Sequence, residues 1–281
     1  MDFVITEKME AVIELMKKTA LGPCAIAVAG AHAKGTADSA SDLDIYMFAD
    51  SYRSYEERCA LIKAAADPDM PAWISESAED APWGGSMDFG FRGTPVEVNF
   101  RTFSMMDRMV TDCMDGKFRI IPATWTSNGY YTFIYLSELS FIRPVWDPEN
   151  RLADYQKQVR VYPEKLRQSI IRTFMERAET WLDNFHYDSA IRRCDALFVA
   201  PIVLHTLMDM VQVIFALNRK YFTGDKKLEK ALSAMEFCPE VFRNNLPFLL
   251  NANQDAEGFA RQRELLRQAR DELKANIFER A

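Results

Sequence analysis

The chain has 281 residues, and its 34 lysine and arginine residues against 41 aspartate and glutamate residues give a formal net charge of -7. This length suits one large domain or two modest ones, because single hydrophobic cores stop growing at about 250–300 residues. A hydrophobic share of 48% excludes a disordered chain. The acidic balance argues against a general nucleic-acid-binding protein, which needs a basic surface. It fits a protein that handles small molecules, including cationic ones.

The targeting features of the sequence indicate a soluble cytoplasmic protein. Five scattered cysteines have no zinc-site or redox-motif spacing, which is typical of reduced thiols in the cytosol. The N-terminal segment is charged and amphipathic and lacks the apolar core of a signal peptide. No apolar run approaches the ~20 residues that a membrane span needs.

In the first half of the chain, short elements alternate between helical and strand periodicity. Met9, Val12 and Met16 predict a first helix, which has Thr6 as a candidate N-cap and ends at Gly22-Pro23. The elements predicted next, in chain order, are strand 25–29, a glycine-containing loop 30–35, strand 43–48, helix 52–66, short strands 73–75 and 87–91, strand 96–100, helix 104–114, a turn at 128–129, helix 130–139 and strand 141–146.

The character of the sequence changes near residue 152, after which glycine and proline become sparse. Helical periodicity then predicts helices over 163–185, 189–217, 226–234 and 256–278. We therefore predict an α+β fold in two domains. Residues 1–150 would form a mixed β-sheet flanked by helices, and residues 151–281 an all-α helical bundle.

Two carboxylates, Asp42 and Asp44, follow the glycine-containing loop that spans residues 30–35. The two-residue period of a strand puts them on one face, where they repel each other unless a cation lies between them. Mg²⁺ prefers such oxygen ligands and often shares them with substrate phosphates. The glycines, Gly30 among them, allow backbone N–H groups to approach a phosphate closely.

A third carboxylate, Glu97, lies between Val96 and Val98 in a predicted strand. An acid in a hydrophobic strand is costly unless it is paired or bound to a metal. If its strand adjoins the strand of Asp42 and Asp44, three carboxylates converge, as metal-assisted phosphoryl or nucleotidyl transfer requires.

These motifs carry a resemblance to a known superfamily. Gly30-Ala31, Gly35 and Asp42-x-Asp44, followed by an acid on a neighbouring strand, resemble the DNA polymerase β-type nucleotidyltransferases over roughly the first 100 residues. The second half resembles the helical domains of small-molecule nucleotidyltransferases that modify aminoglycosides and lincosamides, through the segment ALNRKYFTGDK at 216–226. The resemblance implies a nucleotidyltransferase domain at 1–150 and a helical domain at 151–281 that closes over substrate or nucleotide.

The resemblance also implies roles for the acidic residues. Asp42 and Asp44 would bind Mg²⁺ and, through it, the nucleoside triphosphate. Glu97 would be a third metal ligand or the general base that removes a proton from the acceptor hydroxyl, and we favour the base. The hydroxyl would then attack the α-phosphate in line and release pyrophosphate.

Nucleotide contacts are expected from the loop at Gly30 and Ala31, from Lys34, where relatives often carry a basic residue, and from Lys226 in the helical half. Ala31 departs from the family, which usually has serine there. Because alanine offers its backbone N–H and no hydroxyl, weaker nucleotide binding or an altered phosphate pose is expected.

The expected function is Mg²⁺-dependent transfer of a nucleoside monophosphate, AMP from ATP, to a hydroxyl of a small molecule. An aminoglycoside or lincosamide acceptor would imply a role in antibiotic resistance. Acids and aromatics between Trp73 and Phe91 could hold a cationic acceptor, or could form an ordinary exposed loop. Two alternatives stay open, namely transfer to a protein or RNA, and a catalytically weak nucleotide-binding module. No nucleic-acid or membrane partner is expected. Whether the chain forms a homodimer is left open.

Overall fold

The computed structural model describes residues 5–35, 37–38, 41–251 and 255–279. These residues form two compact units. The first covers the described residues up to Val161, except for Met114–Lys117 and Thr126–Asn128. Those two segments belong to the second unit, together with the described residues from Tyr162 onward. The fold is α+β, with a mixed sheet and flanking helices in the first unit and helices dominating the second.

The strands form one large mixed sheet and a separate hairpin. They are β1 (Ala20–Val28), β2 (Leu43–Tyr52), β3 (Trp73–Ile74), β4 (Gly85–Phe91), β5 (Thr94–Thr102), β6 (Ile120–Ala123), β7 (Thr126–Tyr131) and β8 (Arg143–Trp146). In the described residues the sheet order is β3-β4-β5-β2-β1-β8, and β6 pairs with β7. β2 and β5 run parallel, whereas the other pairs in the large sheet run antiparallel.

The helices follow the same division between the units. Those of the first unit are α1 (Glu7–Lys17), α2 (Gly30–Lys34), α3 (Tyr55–Ala65), α4 (Phe103–Met114, whose last residue belongs to the second unit), α5 (Ile134–Phe141) and α6 (Arg151–Val159). Those of the second are α7 (Glu164–Leu182), α8 (Phe185–Arg192), α9 (Ala196–Leu217), α10 (Leu228–Ser233), α11 (Glu240–Asn244), α12 (Leu246–Leu250) and α13 (Ala256–Glu279).

One face of the large sheet packs into the hydrophobic core of the first unit. Ile45, Met87 and Val98, on three adjacent strands, are fully buried in the cluster that includes apolar residues of α1 and α3. Strand alternation turns the intervening residues to the opposite face. That second face carries the polar side chains considered below.

The first helix follows the predicted pattern, but its end does not. Thr6 is the N-cap, and its Oγ1 accepts a hydrogen bond from Met9 N at 3.3 Å, which confirms that prediction. The predicted stop at Gly22-Pro23 is wrong, because these residues lie within β1. The β1–β2 register shifts there, and such an irregularity accommodates a proline, which has no N–H for the ladder.

Three other element predictions need correction. The predicted loop 30–35 is the short helix α2, ended by Gly35 at φ +67°. The predicted helix 130–139 is the end of β7 followed by α5. The predicted helix 189–217 is split into α8 and α9, because Cys194 adopts a left-handed φ of +56° and Asp195 caps the new helix.

The change to helical character near residue 152 precedes the division between the compact units, because α6 belongs to the first unit. In α6, Tyr155 donates a 2.6 Å hydrogen bond to Asp107 Oδ1. Gln156 Nε2 donates to the Ile142 carbonyl at 2.8 Å. These bonds attach α6 to the elements that precede it in the same unit.

The second unit is built around α9, which packs against α7, α8 and α13. α9 is the one helix among the described residues long and apolar enough to cross a membrane by length and composition. The expectation that no apolar run reaches that length is wrong for this helix. However, 67% of its most apolar window is buried inside the protein, as in the core helix of a soluble protein.

Candidate functional site

Three carboxylates converge on the polar face of the sheet. Asp42 immediately precedes β2, Asp44 is its second residue, and Glu97 lies in the adjacent β5. Asp44 and Glu97 are direct register partners in the parallel pair. One carboxylate oxygen from each of the three residues lies within 4.8 Å of the other two. This separation allows one cation to contact all three side chains.

Glu97 reaches this cluster for a different reason from the one inferred from the sequence. Val96 and Val98 are buried in the core, whereas Glu97 is exposed on the opposite face. Alternation thus spares Glu97 the desolvation cost that a buried acid would incur. The parallel register with Asp44, rather than burial, places Glu97 in the cluster.

A fourth carboxylate, Asp88, adjoins the cluster. Asp88 is the register partner of Glu97 in the antiparallel β4–β5 pair, so the two side chains share a face. Burial, followed by the negative charge of Glu97, raises the pKa of Asp88 to about 6. In the sequence, Asp88 belongs to the segment between Trp73 and Phe91 for which a cationic acceptor is one interpretation. Its place between Met87 and Phe89 in a predicted strand is the signal that it faces the same side as Glu97.

The glycine at position 30 is required by the approach of Asp44. Ala29 N donates to the Asp44 carbonyl at 2.9 Å, which ties the end of β1 to β2. Gly30 follows with φ +52°, and a Cβ atom there would collide with the Asp44 carboxylate. Because glycine has no Cβ atom, the backbone at position 30 can pass close to the Asp44 carboxylate.

We predict that Gly30→Ala displaces the Asp44 carboxylate and impairs the site. The new methyl group would overlap Oδ2, and the positive φ disfavours alanine. Divalent-metal affinity, measured by calorimetry with Mn²⁺, should fall about tenfold or more, the scale on which metal affinity falls when the positioning of a ligand is lost. Gly93→Ala, at φ +75° with open space around it, is the matched control for backbone strain. Equal metal affinity in the two variants would contradict the prediction.

The other residues near Gly30 that are predicted to contact phosphate lie in α2. Ala31 is partly buried in the first turn of α2. Lys34 is exposed at the end of α2, with Nζ 4.7 Å from the centre of the Phe141 ring. Their predicted contacts with phosphate stay predictions.

Lys226 belongs to the second unit, where it lies exposed shortly before α10. In the same segment, Asn218 Nδ2 donates to the carbonyls of Ile214 and Phe237 at 2.8 and 2.7 Å, and its Oδ1 accepts from Phe237 N at 2.9 Å. Asn218 therefore joins the end of α9 to a later loop. The nucleotide contact of Lys226 stays a prediction.

The acids and aromatics between Trp73 and Phe91 have different surroundings. Trp73 is 69% exposed and is the register partner of Asp88. Glu79 forms an ion pair with Arg108 at 3.2 Å, and Asp80 accepts from Ser77 Oγ at 2.7 Å. Trp73 and Asp88 thus extend the row of the carboxylate cluster towards the sheet edge.

A buried polar network lies behind the carboxylates on the same face, and sequence reasoning missed it. Tyr46 Oη donates to Glu138 Oε1 at 2.9 Å, and Arg101 Nη1 lies 2.6 Å from Glu138 Oε2. Arg101 Nε also donates to the Trp83 carbonyl at 2.7 Å. Arg101 is 1% exposed, and its guanidinium lies over the Tyr46 ring. No sequence signal joined Arg101 to Glu138, since they occupy a strand and a helix far apart in the chain.

Comparisons with known proteins give limited information. A family described as a domain of unknown function (DUF4037) matches residues 143–228, less than a third of the chain. No curated protein matches at a significant level. A solved nucleotidyltransferase-like protein from Exiguobacterium sibiricum is 10% identical, with a TM-score of 0.45, over 96% of this chain and 74% of that one. A likeness of this kind does not assign an activity to this chain.

Proposed function

We propose that this protein is a Mg²⁺-dependent nucleotidyltransferase that transfers AMP from ATP to a hydroxyl group of a small molecule. An aminoglycoside- or lincosamide-like compound is the proposed acceptor. The observation that supports the proposal is the convergence of Asp42, Asp44 and Glu97, with oxygens within 4.8 Å of one another. Gly30, which leaves space for the Asp44 carboxylate, supports it further.

The donor set fits a hard divalent cation. Three carboxylates at this separation repel one another unless positive charge lies between them. Mg²⁺ binds oxygen ligands, usually through one or two carboxylates together with substrate phosphates. When bound, it would supply charge neutralisation to the phosphates. Asp42 and Asp44 are the residues proposed to hold it, and Glu97 is close enough to contribute.

Glu97 is proposed to act as the general base. It is the exposed member of the cluster, whereas Asp42 and Asp44 are partly buried, so it is the most accessible to an acceptor. Its carboxylate would take the proton of the acceptor hydroxyl as the oxygen forms a bond to the α-phosphorus. The bond from the α-phosphorus to the oxygen bridging to the β-phosphate would break, and pyrophosphate would leave.

A second candidate function is nucleotide binding without transfer. Ala31 favours it, because the side chain at this position offers no hydroxyl to a phosphate. Calorimetry with ATP and Mg²⁺ separates the two candidates. Binding that is followed by no pyrophosphate release with any acceptor would favour the binding module.

The test of the proposed function is pyrophosphate release from ATP with Mg²⁺ and a panel of hydroxyl-bearing antibiotics. Wild-type protein should release pyrophosphate with at least one acceptor, and a chelator should stop the reaction. Asp42→Asn should lose the activity, whereas Asp69→Asn, which replaces an exposed aspartate in a turn of the same unit, should retain it. Full activity in Asp42→Asn would exclude the assignment.

A further inference from the structure

We infer that Tyr46, Glu138 and Arg101 form a positioning network that fixes the geometry of the carboxylate cluster. The inference rests on the proposed function, since it concerns the same site. These residues are not proposed to touch substrate or metal. They would hold the two strands that carry Asp44 and Glu97 against helix α5.

Tyr46 lies close behind the carboxylate cluster in the sheet. Tyr46 follows Asp44 by two residues in β2, so their side chains lie on the same face of the sheet. Its register partner Asn99 likewise follows Glu97 by two residues in β5. Tyr46 therefore lies in the row directly behind the pair formed by Asp44 and Glu97. Its hydroxyl bonds to Glu138 of α5 at 2.9 Å.

Arg101 connects β5 to α5 and to the residues just before β4. Arg101 lies further along β5 on this same face, one residue row beyond Asn99, and pairs with Glu138 of α5 at 2.6 Å. Its Nε bonds to the Trp83 carbonyl, which precedes the strand that carries Asp88. The network therefore joins β2, β5 and α5 to the entry of β4. Asp42, Asp44, Asp88 and Glu97 all lie on or immediately before β2, β4 and β5.

Burial of the network carries an energetic cost. A buried ion pair loses much of its Coulomb energy to desolvation, and well-packed apolar residues often stabilise a fold equally well. Directional hydrogen bonds, by contrast, restrict how strands and a helix sit relative to each other more tightly than apolar contacts do. A network of this kind directly behind a reactive cluster acts as a supporting shell for it.

The test compares Tyr46→Phe with Tyr155→Phe. Both changes remove one hydroxyl that donates a hydrogen bond to a carboxylate within the first unit. Tyr155 of α6 donates to Asp107 of α4 at 2.6 Å and accepts from Arg151 at 3.3 Å, so these bonds are to residues outside the network. The measurements are the melting temperature, the affinity for Mn²⁺ alone by electron paramagnetic resonance, and kcat and KM for nucleotidyl transfer.

Tyr46→Phe should weaken Mn²⁺ binding or lower kcat by about tenfold or more, the scale typical of lost outer-shell partners. Tyr155→Phe should change neither, although both variants should lose similar thermal stability. Equal Mn²⁺ affinity and equal kcat in the two variants would overturn the inference. Glu138→Asp, which withdraws the carboxylate from Tyr46 while keeping its charge, should behave like Tyr46→Phe and serves if that variant does not fold.

The same experiment separates this inference from the proposed function. If Asp44→Asn leaves Mn²⁺ binding unchanged, the metal site is wrong and the proposed function fails. If Asp44→Asn abolishes Mn²⁺ binding while Tyr46→Phe matches Tyr155→Phe, the metal site stands and the positioning network alone fails.

Discussion

Asp44→Asn is expected to reduce nucleotidyl transfer about a thousandfold or more. Asp44 is the central carboxylate of the site, because it lies two residues after Asp42 in the chain, beside Gly30 in space, and opposite Glu97 in the sheet. Asparagine keeps the shape of the side chain and removes its charge. Loss of metal-based charge stabilisation is worth several kcal/mol, and each 1.4 kcal/mol is a factor of ten in rate.

The measurement for Asp44→Asn combines pyrophosphate release with Mn²⁺ affinity. Both should fall together, because the change acts on the proposed metal site, on which the proposed reaction depends. Asp69→Asn is the matched control, since it removes the same charge from an exposed turn. A variant that binds Mn²⁺ as tightly as wild type and is equally active would show that Asp44 has no role in the site.

Arg101→Met is expected to have the largest effect on stability, a loss of about 3–5 kcal/mol in the free energy of unfolding. Arg101 is 1% exposed, and its partner Glu138 is also buried. Removing the guanidinium leaves the Glu138 carboxylate charged and desolvated with the Tyr46 hydroxyl as its remaining polar partner of the network. An uncompensated charge of this kind is among the costliest single changes in a protein interior.

Urea denaturation measures this loss, and two further variants show where it comes from. The double variant Arg101→Met with Glu138→Leu should recover most of the stability, because both charges are then absent. Arg108→Met is the control, since Arg108 pairs with Glu79 at the surface with both side chains more than half exposed. It should change stability by at most about 1 kcal/mol. A double variant no more stable than Arg101→Met would contradict the charge-burial account.

Local patterns were sufficient for the elements whose residues interact with near neighbours. Thr6 caps α1 through Met9, three residues later, as predicted. The alternation from Leu43 onward predicted β2, although the strand continues to Tyr52. The predictions fail where distant contacts decide the backbone, as at Gly22-Pro23, whose flanking residues Leu21 and Cys24 pair with β2. Cys194 is another example, because its left-handed conformation ends α8 in a sequence that reads as one helix.

The period of a strand and the freedom of glycine are local properties, so they are enough to predict that Asp42 and Asp44 share a side of a strand and that a glycine precedes them. The position of Asp44 opposite Glu97, with Asp88 beside them, is a property of the tertiary structure, because strand register depends on which apolar residues pack together in the core. The pairing of Arg101 with Glu138 is likewise tertiary, since burial of two charges far apart in the chain leaves no periodic trace in either segment.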